Sequence, residues 1–203
     1  MQNCKIYAQT KEEAKATKEF IDEHVKKGYI VESNSLYASP FFFQAKKDRK
    51  LWPIIDYWVL NLLTVWDIYP LALINTILNH LQGKNQFTKF DIRWGYNNIW
   101  IREEDQWKAT IKTPFSLYQP QVMFFGLTNS LTTFCQAMAW MFCNLVNRYP
   151  TELFVYMDDI LIATKDDLKC HRQIVDDILE LLAKESYILW PLKCVFEQTQ
   201  IAY

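Results

Sequence analysis

Apolar positions along the chain change period several times, and each change marks an element. Thr10-Lys11-Glu12-Glu13 has the form of a capping box, after which Ala14, Thr17, Ile21 and Val25 recur at helical spacing until Gly28 offers a left-handed stop. That spacing predicts a first helix. Ala38 to Lys47 and Lys50 to Tyr57 are β-prone runs around Asp48-Arg49, a hairpin pattern in which Pro53 confines its strand to a sheet edge. A helical stretch near Leu71 to Leu81 stops at Gly83, and the β-prone Phe87 to Ile92 follows, delivering Asp91 at its end. Trp107 to Met123 reads as two strands about a turn near Pro114 to Ser116. From Thr128 the period lengthens. Leu131, Phe134, Met138, Met141, Phe142, Leu145 and Val146 keep the helical repeat of a buried amphipathic helix.

Leu153 to Met157 and Ile160 to Thr164 are apolar β runs with Asp158-Asp159 between them, so a hairpin is expected to present both carboxylates at its tip. No nearby residue in the sequence neutralises them. Ile174, Val175, Ile178, Leu181 and Leu182 mark one face of a further helix, and Ile188 to Tyr203 returns to strand-like sequence around Pro191. Helices and strands mix without steady βαβ alternation, which predicts an α+β fold.

Composition narrows the chemistry. Half of the 203 residues are apolar, enough for a substantial core, and Lys plus Arg (22) against Asp plus Glu (23) gives a net charge of −1, so no global positive field is present. The five cysteines form no C-x-x-C pair and are odd in number, which suggests reduced thiols rather than a zinc module or a disulfide framework. No apolar run approaches the ~18–20 residues that span a bilayer, and residues 1–30 are unlike a secretory leader, so an intracellular location without membrane contact is expected. Four glycines leave no glycine-rich phosphate cradle, so phosphate chemistry here would rely on metal and cations.

Adjacent aspartates in a turn have an ordinary explanation, because Asp hydrogen-bonds its own backbone there. Asp91 changes the picture, since it too ends a β run and would lie on a strand beside the hairpin. Three converging Asp carboxylates are hard ligands for Mg²⁺, and paired ions about 3.5–4 Å apart support in-line displacement at phosphorus. Polymerases and nucleases both use that arrangement, and spacing alone does not separate them.

Tyr156-Met157-Asp158-Asp159, embedded in Val-Tyr-Met-Asp-Asp-Ile-Leu-Ile, resembles the catalytic hairpin of reverse transcriptases. The other motifs agree in order: Tyr37-Ala38-Ser39-Pro40, Lys46-Lys47-Asp48, Asp56-Tyr57 with Leu60-Asn61, Tyr69-Pro70-Leu71, Phe90-Asp91-Ile92-Arg93-Trp94-Gly95-Tyr96, Val122 to Asn129, and Lys193-Cys194-Val195-Phe196. The sequence is most similar to gypsy-type LTR retrotransposons of the fungal branch. The resemblance implies the fingers and palm of a right-hand polymerase. Fingers would occupy residues 1–71 and 99–129, and palm 72–98 and 130–203, with thumb and RNase H absent and the end falling before the primer grip. It further implies that Asp91, Asp158 and Asp159 hold two Mg²⁺ ions, with Mn²⁺ as an alternative. Tyr96 would select the deoxyribose, and Phe125, Gly126, Tyr156, Met157, Lys46 and Lys47 would line the nucleotide site. Lys193 is a candidate general acid toward pyrophosphate. The implied partners are deoxynucleoside triphosphates, a primed RNA or DNA template, and other Pol or Gag products of the element, in the cytoplasm or an element particle.

Several positions depart from the family. Trp52, Trp58, Trp100, Trp190 and Cys143 stand where arginine is usual, Leu36 and Leu131 where proline is usual, and Arg49 where a turn glycine is usual. The arginine normally at position 52 contacts the incoming triphosphate; charge-assisted bonds of about 1.5–3 kcal/mol are lost with it. A truncated, inactive remnant that keeps the fold is therefore the alternative expectation, and a two-metal nuclease accounts for the carboxylates but not for Tyr96 or the Phe125-Gly126 loop.

Overall fold

The computed structural model describes residues 6–45, 51–70, 74–165 and 167–201, and divides into two compact units. The first comprises Met1–Trp66 and Tyr96–Ser130, the second Asp67–Gly95 and Leu131–Tyr203. The breaks fall a few residues from those expected at 71/72, 98/99 and 129/130. Tyr96, expected with residues 72–98, falls in the first unit, where its ring lies against Phe125 with centroids 4.6 Å apart.

The first unit opens with α1 (Lys11–Lys26), and its capping box forms as the sequence predicts: Glu13 N donates to the Thr10 hydroxyl at 3.2 Å and Thr10 N donates to the Glu13 carboxylate at 2.7 Å. Thr17 and Ile21 bury while Val25 stays exposed, and Gly28 follows in the left-handed region. The helix is followed by β1 (Ile30–Glu32), β2 (Ser39–Ala45), β3 (Leu51–Ile55) and the short α2 (Trp58–Leu63). After a 3₁₀ turn at Gly95–Asn98 come α4 (Glu103–Gln106), β5 (Ile111–Lys112) and β6 (Leu117–Pro120), with α3 (Ile74–Leu81) lying in the second unit. The sheet order is β1-β6-β5-β2-β3, so Pro53 sits on an outer strand, where a missing N–H breaks no ladder. Between Trp107 and Met123 the two expected strands are shorter than their apolar runs, because Trp107–Ala109 is a 3₁₀ turn. Ile21, Ile30, Phe41, Ile55, Tyr57 and Ile111 are central to the core.

The second unit contains α3 (Ile74–Leu81), β4 (Gln86–Asp91), most of α5 (Ser130–Arg148), β7 (Leu153–Tyr156), β8 (Asp159–Thr164), α6 (Leu168–Lys184) and β9 (Val195–Gln198). Its sheet runs β7-β8-β4-β9, all neighbours antiparallel. Ile77 of α3 joins Phe87, Phe154, Leu161 and Ala163 on one face. Helix α6 packs on β8 and β4, burying His171, Ile174, Ile178 and Leu182 at helical spacing. The His171 ring is held between two hydroxyls, with Nε2 2.7 Å from Thr88 Oγ1 and Nδ1 2.9 Å from Thr164 Oγ1. Burial pushes its pKa down, opposed by Glu197.

Candidate active site

Antiparallel pairing closes the β7–β8 hairpin on Tyr156 and Asp159, so its two loop residues are Met157 and Asp158. This corrects the expected tip: Asp159 is the first residue of β8, and only Asp158 is in the turn. Met157 takes φ 54°, at the loop position where two-residue hairpins favour glycine. A side chain there costs roughly 1–3 kcal/mol, held in place by the flanking ladder. On the other side of β8, β4 pairs Phe90 with Ile160 and Asp91 with Asp159, and Ile92 N donates to Asp158 O at 3.2 Å. Strand register thus brings Asp91, Asp158 and Asp159 to one corner of the sheet.

The charges at that corner are partly compensated, contrary to the expectation from sequence. Lys89 Nζ lies 2.8 Å from Asp159 Oδ2, and Lys193 Nζ lies 2.9 Å from Asp91 Oδ2. Lys89 was not a candidate from sequence. Its signal was the alternation of β4, since residues two apart on a strand share a face and Lys89 precedes Asp91 by two. Lys193 ends a distant 3₁₀ turn, Pro191–Lys193, anchored by Trp190 N donating to Asp91 O at 2.9 Å. The hydrogen bond and charge of Asp91 raise the Lys193 pKa, so the ammonium holds its proton more firmly. The Asp158 carboxyl is also raised. Partial desolvation at the turn is the main cause, with the charges of Asp159 and Asp91 adding, against a backbone hydrogen bond and Lys193.

Three hard carboxylates are the donor set a divalent cation such as Mg²⁺ takes. Among the described residues, no group of three or more His, Cys, Asp or Glu side chains stands ready to hold a metal ion, and two of these carboxylates face lysines. The donor chemistry fits; the cation would have to compete with ammonium groups for it.

Tyr156 and Met157 line a cavity of about 190 Å³ with Tyr69, Pro70, Cys135 and Met138. Arg93 stacks its guanidinium between Trp94 and Trp190, 4.0 and 4.7 Å from the ring centroids. Trp190 therefore packs against an arginine in a position where arginine itself was expected.

In the first unit, the candidate residues gather on the loop that precedes α5. Gly126 has φ +107°, and a Cβ on it would meet the Ile55 carbonyl oxygen at 3.3 Å, so the position requires glycine. Asn61 clamps the loop from both sides: its Nδ2 donates to Gly126 O at 2.7 Å, and its Oδ1 accepts from Thr128 N at 2.9 Å. Phe125 is exposed and carries the Tyr96 ring against it. Trp52 pairs with Gln44 across the β2–β3 ladder and keeps about half its surface, 47%, in solvent. Lys46 and Lys47, with Asp48 and Arg49 where a turn was expected, lie outside the described residues.

The profile of the family described as reverse transcriptase (RNA-dependent DNA polymerase) matches residues 44–203. The Transposon Tf2-3 and Tf2-7 polyproteins of Schizosaccharomyces pombe are 34% and 33% identical to the chain over 185 residues. These stretches are 90% of the chain but 13% of each polyprotein. Among solved structures, a foamy viral protease–reverse transcriptase in complex with double-stranded DNA superposes with TM-score 0.86 at 20% identity, covering 98% of this chain and 34% of that one. The same kind of protein bound to an RNA/DNA hybrid gives 0.85 at 21%, covering 100% and 26%. None of the described helices is long and apolar enough to cross a membrane.

Proposed function

The chain belongs to the reverse transcriptase (RNA-dependent DNA polymerase) family, and from that premise we propose that it extends a primer on an RNA or DNA template with deoxynucleoside triphosphates. The observation that carries the reading is the β4–β8 register that sets Asp91 opposite Asp159 with Asp158 in the adjoining turn. We assign Met1–Trp66 with Tyr96–Ser130 to fingers and Asp67–Gly95 with Leu131–Tyr203 to palm.

Asp91, Asp158 and Asp159 would hold two divalent ions, Mg²⁺ or Mn²⁺. Such ions, when bound, polarise phosphoryl oxygens and lower the pKa of a coordinated hydroxyl. The chain's residues supply the rest. Lys193, its proton held by Asp91, would donate to the departing pyrophosphate. Tyr96, braced by Phe125, would stack under the sugar and exclude a 2′ hydroxyl. Gly126 would let the loop backbone approach the nucleotide, while Lys46 and Lys47 would meet its phosphates. Met157, fixed in a strained conformation, and Tyr156 would line the nucleotide site.

A primed template is the proposed partner, because the foamy viral relatives are described with double-stranded DNA and an RNA/DNA hybrid. Other Pol or Gag products of an element would accompany it. The test is primer extension on poly-rA with oligo-dT and Mg²⁺, using the unsubstituted chain and Asp158→Asn. Extension lost in Asp158→Asn is the expected result. No extension from soluble, folded chain would overturn the activity and leave a remnant that keeps only the fold.

A further inference from the structure

Three aspartates at one sheet corner repel one another, and a divalent cation is only one way to offset that repulsion. The structure supplies another. Lys89 and Asp91 share a face of β4, and Lys89 reaches diagonally across to Asp159 on β8 at 2.8 Å. Its side chain is 21% exposed and that of Asp159 is 29%, whereas the Lys193 side chain in the companion pair is 61% exposed. Lys89 and Lys193 line the same open depression beside β9, of about 540 Å³, together with Asp91, Val195 and Gln198.

We propose that Lys89 is a positioning residue that competes with the divalent cation for Asp159. Its ammonium holds the carboxylate in the metal-free hairpin and must release it when the cation binds. Residue chemistry suits that role. Lysine is a compact, strongly hydrated point charge on a flexible stem, so its head can leave Asp159 for the open depression without disturbing β4. An arginine fork would grip both carboxylate oxygens and release them less readily. Partial burial of the pair weakens solvent screening, so competition has a measurable effect. The inference rests on the proposed reading that these carboxylates hold the metal.

Mn²⁺ binding to the full chain, read from the free-ion electron paramagnetic resonance signal, tests it without reference to activity. Lys89→Gln should bind Mn²⁺ about fivefold more tightly than the unsubstituted chain. Lys89→Arg should bind more weakly. In EDTA the melting temperature of Lys89→Gln should fall, and Mn²⁺ should restore more of it than in the unsubstituted chain. An ion pair that only stabilises the fold would lower the melting temperature equally with and without metal and would leave affinity unchanged. Equal or weaker affinity in Lys89→Gln, while binding still depends on Asp158, would overturn the inference alone. Binding that survives undiminished in Asp158→Asn would overturn the metal-site reading and this inference with it.

Discussion

Around Asp91, Asp158 and Asp159 the second unit is organised by charge: two ion pairs, a desolvated carboxyl at the turn and a strained Met157 between strands. The loop at Phe125 and Gly126 in the first unit is organised by shape and backbone hydrogen bonds, with Asn61 as its clamp. A charged corner changes with its ionic surroundings, because each carboxylate can exchange one cation for another. A clamped loop has one low-energy arrangement and resists change until a clamp or a glycine is replaced. The contrast suits the proposed roles, one region exchanging ions in each cycle and the other presenting a constant surface to the nucleotide.

The largest effect should come from the charged side. Loss of an outer partner of a metal ligand usually costs 10–100-fold, so Asp158→Asn, a direct loss, should lower primer extension by at least about a hundredfold. Its folding should survive, since a carboxyl raised by burial and like charge is a destabilising element at neutral pH. The sign follows from proton binding: with its pKa above the unfolded value, the native state binds more protons in that window, so stability falls as pH rises through it. Asp158→Asn should therefore be the more stable protein at pH 7 in urea unfolding, an advantage that disappears below the ordinary carboxylate range.

On the clamped side, Gly126→Ala should cost about 1–3 kcal/mol in urea unfolding, from a disfavoured φ and the approach to the Ile55 carbonyl. A neutral result would mean that the loop relaxes freely and that the contrast between the regions is wrong. Gly95→Ala offers a parallel in the second unit, where a Cβ would stand 2.6 Å from Phe134 Cζ; overpacking there should cost about 1–3 kcal/mol. Asn61→Ala is milder, about 1 kcal/mol, because both of its hydrogen bonds are near solvent. It should raise KM for the nucleotide more than it lowers kcat.

The smallest effect concerns His171. Its depressed pKa means that the unfolded state binds the extra proton first, so stability present above about pH 6.5 should decline as pH falls below it. Urea midpoints across pH 5–7.5 check this, and the slope should flatten in His171→Gln.

Much of the molecule was legible in local pattern. The capping box at Thr10, the stop at Gly28, the run that ends in Asp91, the long helix containing Phe134 and Phe142, and the edge placement of Pro53 each follow from a period or a residue's backbone chemistry. The short β1 and α2 were not foreseen, being too brief for a period to register. Nor was the parallel pairing of β2 with β5, which joins Ser39 to Ile111, because periodicity describes a strand's faces but not its neighbour.

The carboxylates divide along the same line. That Asp91 ends a strand and Asp158 lies in a turn is written in hydrophobic alternation, a local property of the chain. That Asp159 belongs to β8, that it faces Asp91, and that Lys89 and Lys193 hold the two depends on which strand lies beside which and in what register. A one-residue slip would turn every one of these side chains to the opposite face, and register is set by the whole packed sheet, since local propensity is nearly indifferent to it.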